Sequence, residues 1–432
     1  MRVSVYKQVL EPQKLKKQLL NWAQQFREIT FLDSNNYQQT FSSFDCLLAV
    51  DAFTAIQTDC FNAFEDLKQY QQTTKDWLFG YLSYDLKNDT ENLSSKNFDG
   101  LHFPDLYFFQ PKKLFILKGN RLEIQYLLVC DDELESDFNE IQAITFEEGS
   151  SKMQQHEKTA IKQRISKELY FEKIKQVLEH IHRGDIYEAN FCMEFFAENA
   201  IINPFEKFEK LNQISQAPFA TFFKNNHFFV LSASPERYLR KTGQEIISQP
   251  IKGTSKRFEN PIEDQESKIK LQNDTKERSE NIMITDLVRN DLSKTAQKNS
   301  VEVTELCQIY SFLQVHQMIS TVKSQLNENY DAISVLKTTF PMGSMTGAPK
   351  VSVMKIMEEL ELTKRGLYSG AIGYFTPNSD FDFNVVIRSI LFNSKSQYLS
   401  FSVGSAITAM SQPNSEYEEC LLKAKAMFEV LQ

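Results

Sequence analysis

Residues Lys276–Asp291 read KERSENIMITDLVRND, and this stretch sets the reading of the chain. Glu280, Ile284, Leu287 and Asp291 recur at intervals of four, three and four, so they share one face of a helix. Glu280 thus lies on the inward stripe, where a carboxylate needs a partner or a metal ion. Glu277 lies one turn earlier, where an acid also suits the positive end of the helix dipole. The last helix of the chain has the same character: Glu416, Glu419 and Lys423 fall on one face. Taken alone, a Glu and a Lys four apart are an ordinary solvated pair worth tenths of a kcal/mol. Two helix-borne carboxylate pairs can together supply the few oxygen ligands that Mg²⁺ takes besides water and substrate.

Outward from that stretch, strands and helices interleave. Strands are expected at Asp45–Val50, Trp77–Tyr84, Leu114–Leu117, Leu122–Val129, Phe219–Phe223, His227–Ser232, Glu245–Gln249, Ser369–Phe375, Phe383–Phe392 and Tyr398–Val403. Helices are expected at Ser166–Arg183, Lys276–Leu292, Asp331–Thr338, Pro349–Leu360 and Glu416–Leu431. The polar run Glu147–Lys162 reads as a linker between an N-terminal region, 1–150, and a C-terminal region, 160–432. No regular βαβ beat appears, which favours an α+β composite over a doubly wound parallel sheet.

Composition narrows the function classes. The 432 residues are 41% hydrophobic and 24% charged, so a large core is available and wholesale disorder is excluded. Forty-eight Lys and Arg against 57 Asp and Glu give a net charge of -9, which speaks against a nucleic-acid binder. The six cysteines are far apart, with no zinc or redox spacing. No signal-like segment or membrane-length apolar run is present, so a cytoplasmic protein without membrane partners is expected.

The segment Gly343–Lys350, GSMTGAPK, looks like a phosphate loop but has the wrong spacing. It does offer a Gly-rich turn into a helix, a place for a small carboxylate. Lys252, within PIKGT (Pro250–Thr254), would by its turn context alone read as an exposed lysine.

Ordered along the chain, GDIYEANF (Gly184–Phe191), SPER (Ser234–Arg237), PIKGT, KERSENIMITDLVRND, FPMGSMTGAPK (Phe340–Lys350), GLYSGAIGY (Gly366–Tyr374), VVIRS (Val385–Ser389) and SEYEECLLKA (Ser415–Ala424) strongly resemble the chorismate-utilising enzymes. That family includes the component I chains of anthranilate and aminodeoxychorismate synthases and the isochorismate and salicylate synthases. The resemblance implies an α+β fold of two large antiparallel sheets packed together with helices outside. It implies an Mg²⁺ cofactor held by Glu280 and Glu419, with Glu277 and Glu416 holding its waters. Glu236 is similar in position to the general acid/base at the departing C4 hydroxyl. Tyr368 and Arg388 resemble the grip on the enolpyruvyl carboxylate. Thr254, Lys423 and the strand residues Gly404 and Ala406 resemble further substrate contacts. Phe31–Ser34 resembles, weakly, a segment that binds tryptophan in some members.

Lysine within the P-I-x-G-T motif marks the members that aminate chorismate at C4, where it attacks C2 as the 4-hydroxyl leaves. Lys252 therefore implies an amino-group transferase making 4-amino-4-deoxychorismate for para-aminobenzoate and folate synthesis. A nucleophilic lysine is expected to have a lowered pKa, against the pull of nearby carboxylates. No amidotransferase nucleophile elbow is visible, and Cys192 lacks flanking glycines, so ammonia is expected from a separate glutaminase subunit. The chain departs from the family pattern at Glu188, where Gln is common, at Gln317, where His is common, and at Ala406, where Gly is common. The rival readings are anthranilate synthase component I, separated by product regiochemistry, and an inert chorismate-binding regulatory protein, separated by turnover in ammonium salt.

Overall fold

The computed structural model describes residues 1–37, 41, 43–146, 159–313 and 315–432. Residues 147–158 of the expected linker lie outside them.

Two sheets grow from the long strand Leu106–Lys118. One of its edges pairs with Cys46–Thr58 along nearly its whole length; the other is divided between Arg121–Leu127 and Leu78–Leu82. The first sheet continues through Glu28–Asp33, Phe219–Asn225, Phe228–Ser234, Ser389–Asn393 and Tyr398–Ile407 to Glu188–Ala197. The second runs through Ala371–Phe375, Phe381–Val385, Arg237–Thr242 and Glu245–Gln249 to Val315–Gln325, which also carries Ile251–Lys256 and Glu302–Ser311. These ladders are antiparallel, as expected for the α+β class. Glu28–Asp33 pairs with Phe219–Asn225, and Leu78–Leu82 pairs with Ala371–Phe375, so residues before 150 complete sheets built by residues after 160.

Aromatic side chains fill the core that joins the sheets: Phe79, Phe108, Phe223, Phe375 and Phe383 are all fully buried in one cluster. Each such burial contributes about 1.5–3 kcal/mol, a structural account of much of the Phe content. A second cluster lies between the first sheet and the helices Lys167–Arg183, Pro204–Ser215 and Pro413–Leu431. Helix Lys167–Arg183 starts where expected, with the Ser166 hydroxyl accepting from Leu169 N, and ends on Gly184 at φ +84.

The expected continuous strand Phe383–Phe392 is two strands, Phe381–Val385 and Ser389–Asn393. Between them the chain leaves the second sheet and joins the first, with Arg388 at φ +53. Both pieces are β-rich, so composition gives no sign of the break; only the change of partner sheet requires it.

Candidate active site

Helix Thr275–Ser293 is capped by Asp274, whose side chain accepts from Glu277 N at 3.0 Å. It turns Glu280, Asn281, Ile284, Thr285, Val288, Asp291 and Leu292 inward. Asn281 Nδ2 donates to the carbonyls of Lys252 (3.2 Å) and Met318 (3.0 Å), fixing the lysine-bearing strand against the helix. Gly253 has φ +98, and a Cβ there would stand 3.2 Å from Glu277 Oε2. The glycine after Lys252 thus permits both the turn and the approach of Glu277.

Lys252 is far from the exposed lysine its turn suggests: its side chain is 11% exposed, and Nζ lies 2.9 Å from Glu188 Oε1. Burial acts to lower its pKa, but Glu188, Glu280 and Glu236 outweigh burial and raise it. The expected lowering is therefore corrected: at neutral pH Lys252 is an ammonium ringed by carboxylates. Glu236, 4% exposed, is pushed up to about 7 by burial, with Lys252 and Lys423 among the groups that hold it back. Glu280, also buried, is pushed up to about 7 by burial against the pull of Lys252 and Lys276. Both carboxyls are therefore raised toward the neutral range, which suits proton transfer.

Helix Pro413–Leu431 brings the second acidic set. Glu416 is buried and Glu419 is not; its side chain is 41% exposed and opens to the cleft, contrary to an interior position on the stripe. Lys276 Nζ lies 3.0 Å from Glu416 Oε1 and 3.6 Å from Glu280 Oε1. Lys423 Nζ pairs with Glu419 Oε1 at 2.6 Å and donates to Gly404 O at 2.9 Å. Burial, then the Glu419 charge, raises the Glu277 pKa. Among the described residues no three acidic, cysteine or histidine side chains converge closely enough to hold a metal ion as they stand. The acids and two lysines neutralise one another instead.

Arg388 Nη1 donates to Lys423 O at 3.2 Å; burial lowers the Arg388 pKa, and the buried Tyr368 lies near enough to act against that. Tyr368, Arg388, Lys423 and Gly404 are thus brought together. Gly404 needs its missing side chain: a Cβ would stand 2.9 Å from Cys192 Sγ and 3.0 Å from Phe191 O. Ala406 is absent from the residues with positive φ and sits in regular ladder opposite Asn190, so alanine is accommodated. Thr254 is exposed, paired in register with Gln317 at the rim. The Gly-rich segment Gly343–Lys350, expected to offer N–H groups to an anion, also serves the fold. Its carbonyls at Thr346 and Ala348 accept from Asn190 N and Tyr187 N, and Lys350 pairs with Asp291. Cys192 is buried and its thiol is pushed up to about 12, unlike an amidotransferase nucleophile.

Sequence reasoning marked Glu188 and Gln317 as departures from the family pattern without giving them a role, and did not single out Lys276, Ser344 or Ser369. Four of them carry buried oxygens outside regular hydrogen-bond geometry: Glu188 (both, Oε1 facing Lys252), Gln317 Oε1, Ser344 Oγ, which lies against Glu236, and Ser369 Oγ; Glu280 Oε1 is a further one. These make six of the eleven such atoms among the described residues, a concentration that marks a site awaiting a polar ligand. Glu188 opens EANFCMEFFA, a strand buried at every position, where a carboxylate is out of place. Away from this cleft, Leu32, Asp33 and Ser34 line another of about 460 Å³ with Phe219 and Tyr374; there Asp33 already pairs with Lys16 at 2.7 Å.

The architecture is that of anthranilate synthase component I. The crystal structure of that protein from Streptococcus pneumoniae TIGR4 superposes with a TM-score of 0.77, covering 91% of this chain and 94% of that one at 23% identity. The family described as chorismate binding enzyme matches residues 27–429, and the chain belongs to that family. It is 31% identical over 365 residues to aminodeoxychorismate synthase component 1 of Bacillus subtilis strain 168, spanning 82% of this chain and 76% of that one. It is 38% identical over 268 residues to the Escherichia coli K12 protein of the same name, spanning 62% of this chain and 58% of that one.

Proposed function

We propose that the protein aminates chorismate at C4, giving 4-amino-4-deoxychorismate, the precursor of para-aminobenzoate and folate, with ammonia delivered by a separate glutaminase subunit. The observation that carries this reading is Lys252, an amine enclosed in an acidic cleft beside Glu236, a carboxyl with a pKa of about 7. The names of the relatives at 31% and 38% identity support it. In this reading the Lys252 amine forms a bond to C2 while the C4–O bond breaks, and Glu236 gives its proton to the departing hydroxyl, which leaves as water. Ammonia then bonds to C4, and the C2–N bond breaks with its electron pair returning to Lys252. The new C4 ammonium restores the proton to Glu236. Tyr368, Arg388 and Lys423 orient the carboxylates of the substrate.

Mg²⁺ fits the residues present: Glu280 has a buried oxygen without a donor, and Glu277 and Glu419 repel each other's charge. Glu280 and Glu419 would hold the ion, with Glu277 and Glu416 on its waters. When bound it supplies positive charge to a dianionic substrate.

The test is incubation with chorismate, Mg²⁺ and ammonium salt, with identification of the product. The expected product carries nitrogen at C4, and Lys252→Ala is expected to lose at least about 1,000-fold in rate while still binding chorismate. Anthranilate as product, or a Lys252→Ala rate equal to wild type, would refute the reading.

A further inference from the structure

Glu188 is clamped by its backbone and free at its carboxylate. Gly347 and Ala348 pair with Ala189 and Glu188, and a Cβ on Gly347 would stand 2.1 Å from Glu188 O, so no other residue allows that approach. The side chain is 1% exposed, with Oε1 2.9 Å from Lys252 Nζ. Neither oxygen is in regular hydrogen-bond geometry with a donor among the described residues. A buried ion pair that serves stability is tied down by further hydrogen bonds; this one is not.

Lys252 faces Glu188 from the strand Glu188–Ala197, Glu280 from the helix Thr275–Ser293, and Glu236 from the turn before Arg237. All three keep it protonated, yet attack on carbon needs the neutral amine. The proton must therefore go to a neighbour. Glu236 is committed to the leaving hydroxyl and Glu280 to the metal ion, which leaves Glu188.

We propose that Glu188 is the proton acceptor for Lys252. It takes the ammonium proton as the N–C2 bond forms, holds it while the adduct stands, and returns it when Lys252 departs with its electron pair. The proton count closes, because the proton on the leaving hydroxyl comes separately from Glu236 and is replaced by the C4 ammonium. This rests on the covalent reading above and deepens it by naming the base.

The test measures the rate at which chorismate becomes attached to Lys252 with Mg²⁺ present and ammonia withheld, by intact mass and peptide mapping, from pH 6 to 9. In Glu188→Gln the rate at pH 7 is expected to fall about 100-fold, the usual scale for a lost general base. The ratio of variant to wild-type rate is expected to climb about tenfold per pH unit as solvent takes the proton instead; the ratio cancels the titration of Glu236, on which the Glu188 charge does not act. Chorismate affinity by equilibrium dialysis is expected to change no more than a few-fold. Glu188→Asp, which keeps a carboxylate, is expected to restore part of the rate with a flat ratio. A Glu188→Gln rate equal to wild type at pH 7, a flat ratio in that variant, or a Glu188→Asp ratio with the slope of the Gln variant would overturn the role of Glu188 and leave the covalent reading standing. Absence of any adduct in wild type, with C4 amination intact, would overturn both.

Discussion

Two buried ion pairs meet the strand Glu188–Ala197 and are finished very differently. Arg365 gives hydrogen bonds to both oxygens of Glu361, at 2.9 and 2.7 Å, and to the carbonyls of Met345 and Asn190; Cys192 N donates to Glu361 as well. Lys252 and Glu188 touch at 2.9 Å, and the carboxylate has no further support. The first pair ties the GSMTGAPK segment to the strand that starts at Glu188, so its fully used guanidinium is scaffold. The second leaves lone pairs and protons free to move. Hydrogen-bond completeness, more than burial or charge, distinguishes the two pairs.

The largest effect expected from that contrast is on stability. Arg365→Met leaves Glu361 buried without its cation and is expected to cost about 3–5 kcal/mol in denaturant unfolding. Glu188→Gln is expected to stay within about 1 kcal/mol of wild type, because Lys252 keeps the charges of Glu280 and Glu236. Equal losses in the two variants would break the comparison.

A pH profile sharpens it. The Glu236 pKa is raised in the fold, from 4.5 to about 7, chiefly by burial. Its contribution to stability is thus fully present below about pH 4.5 and is lost as pH rises through about 7. Without substrate, the protein is expected to lose roughly 2–3 kcal/mol from this group between pH 5 and pH 8. Glu236→Gln should flatten that part of the slope in unfolding measured at each pH.

A smaller effect is expected at Lys276, whose ammonium lies between Glu416 and Glu280. Lys276→Met is expected to tighten Mn²⁺ binding, followed by electron paramagnetic resonance, by roughly three- to tenfold, through loss of a competing charge of about 1 kcal/mol. Weaker binding would show that Lys276 organises the carboxylates instead of competing for them. The smallest is at Ala406: in regular extended ladder, Ala406→Gly is expected to cost about 0.5–1 kcal/mol with turnover nearly unchanged. A gain in turnover would mean that the Cβ hinders the substrate.

Much of the scaffold was legible because its signals are local. The stripe through Glu280 and Ile284, the helix from Ser166 to Arg183 and the strand Glu245–Gln249 each depend on neighbours within a few residues. The break at Val386–Arg388 was not legible, because both flanking pieces are equally β-prone and the sheet change comes from distant partners. The order and spacing of the motifs marked Lys252, Glu236, Glu280 and Glu419 from the sequence alone. Lys276 was overlooked, since a lysine at a helix start looks solvated until Glu416, 140 residues away, packs beside it.

By itself, then, the sequence determined the family and the α+β class and marked candidate site residues, because residue types and spacings are written along the chain. Only the tertiary structure decided their states. Lys252 is held as an ammonium because strands and a helix from three parts of the chain set Glu188, Glu236 and Glu280 around it. Glu236 sits at a pKa of about 7 because burial, a property of the whole fold, removes the water that would stabilise its charge.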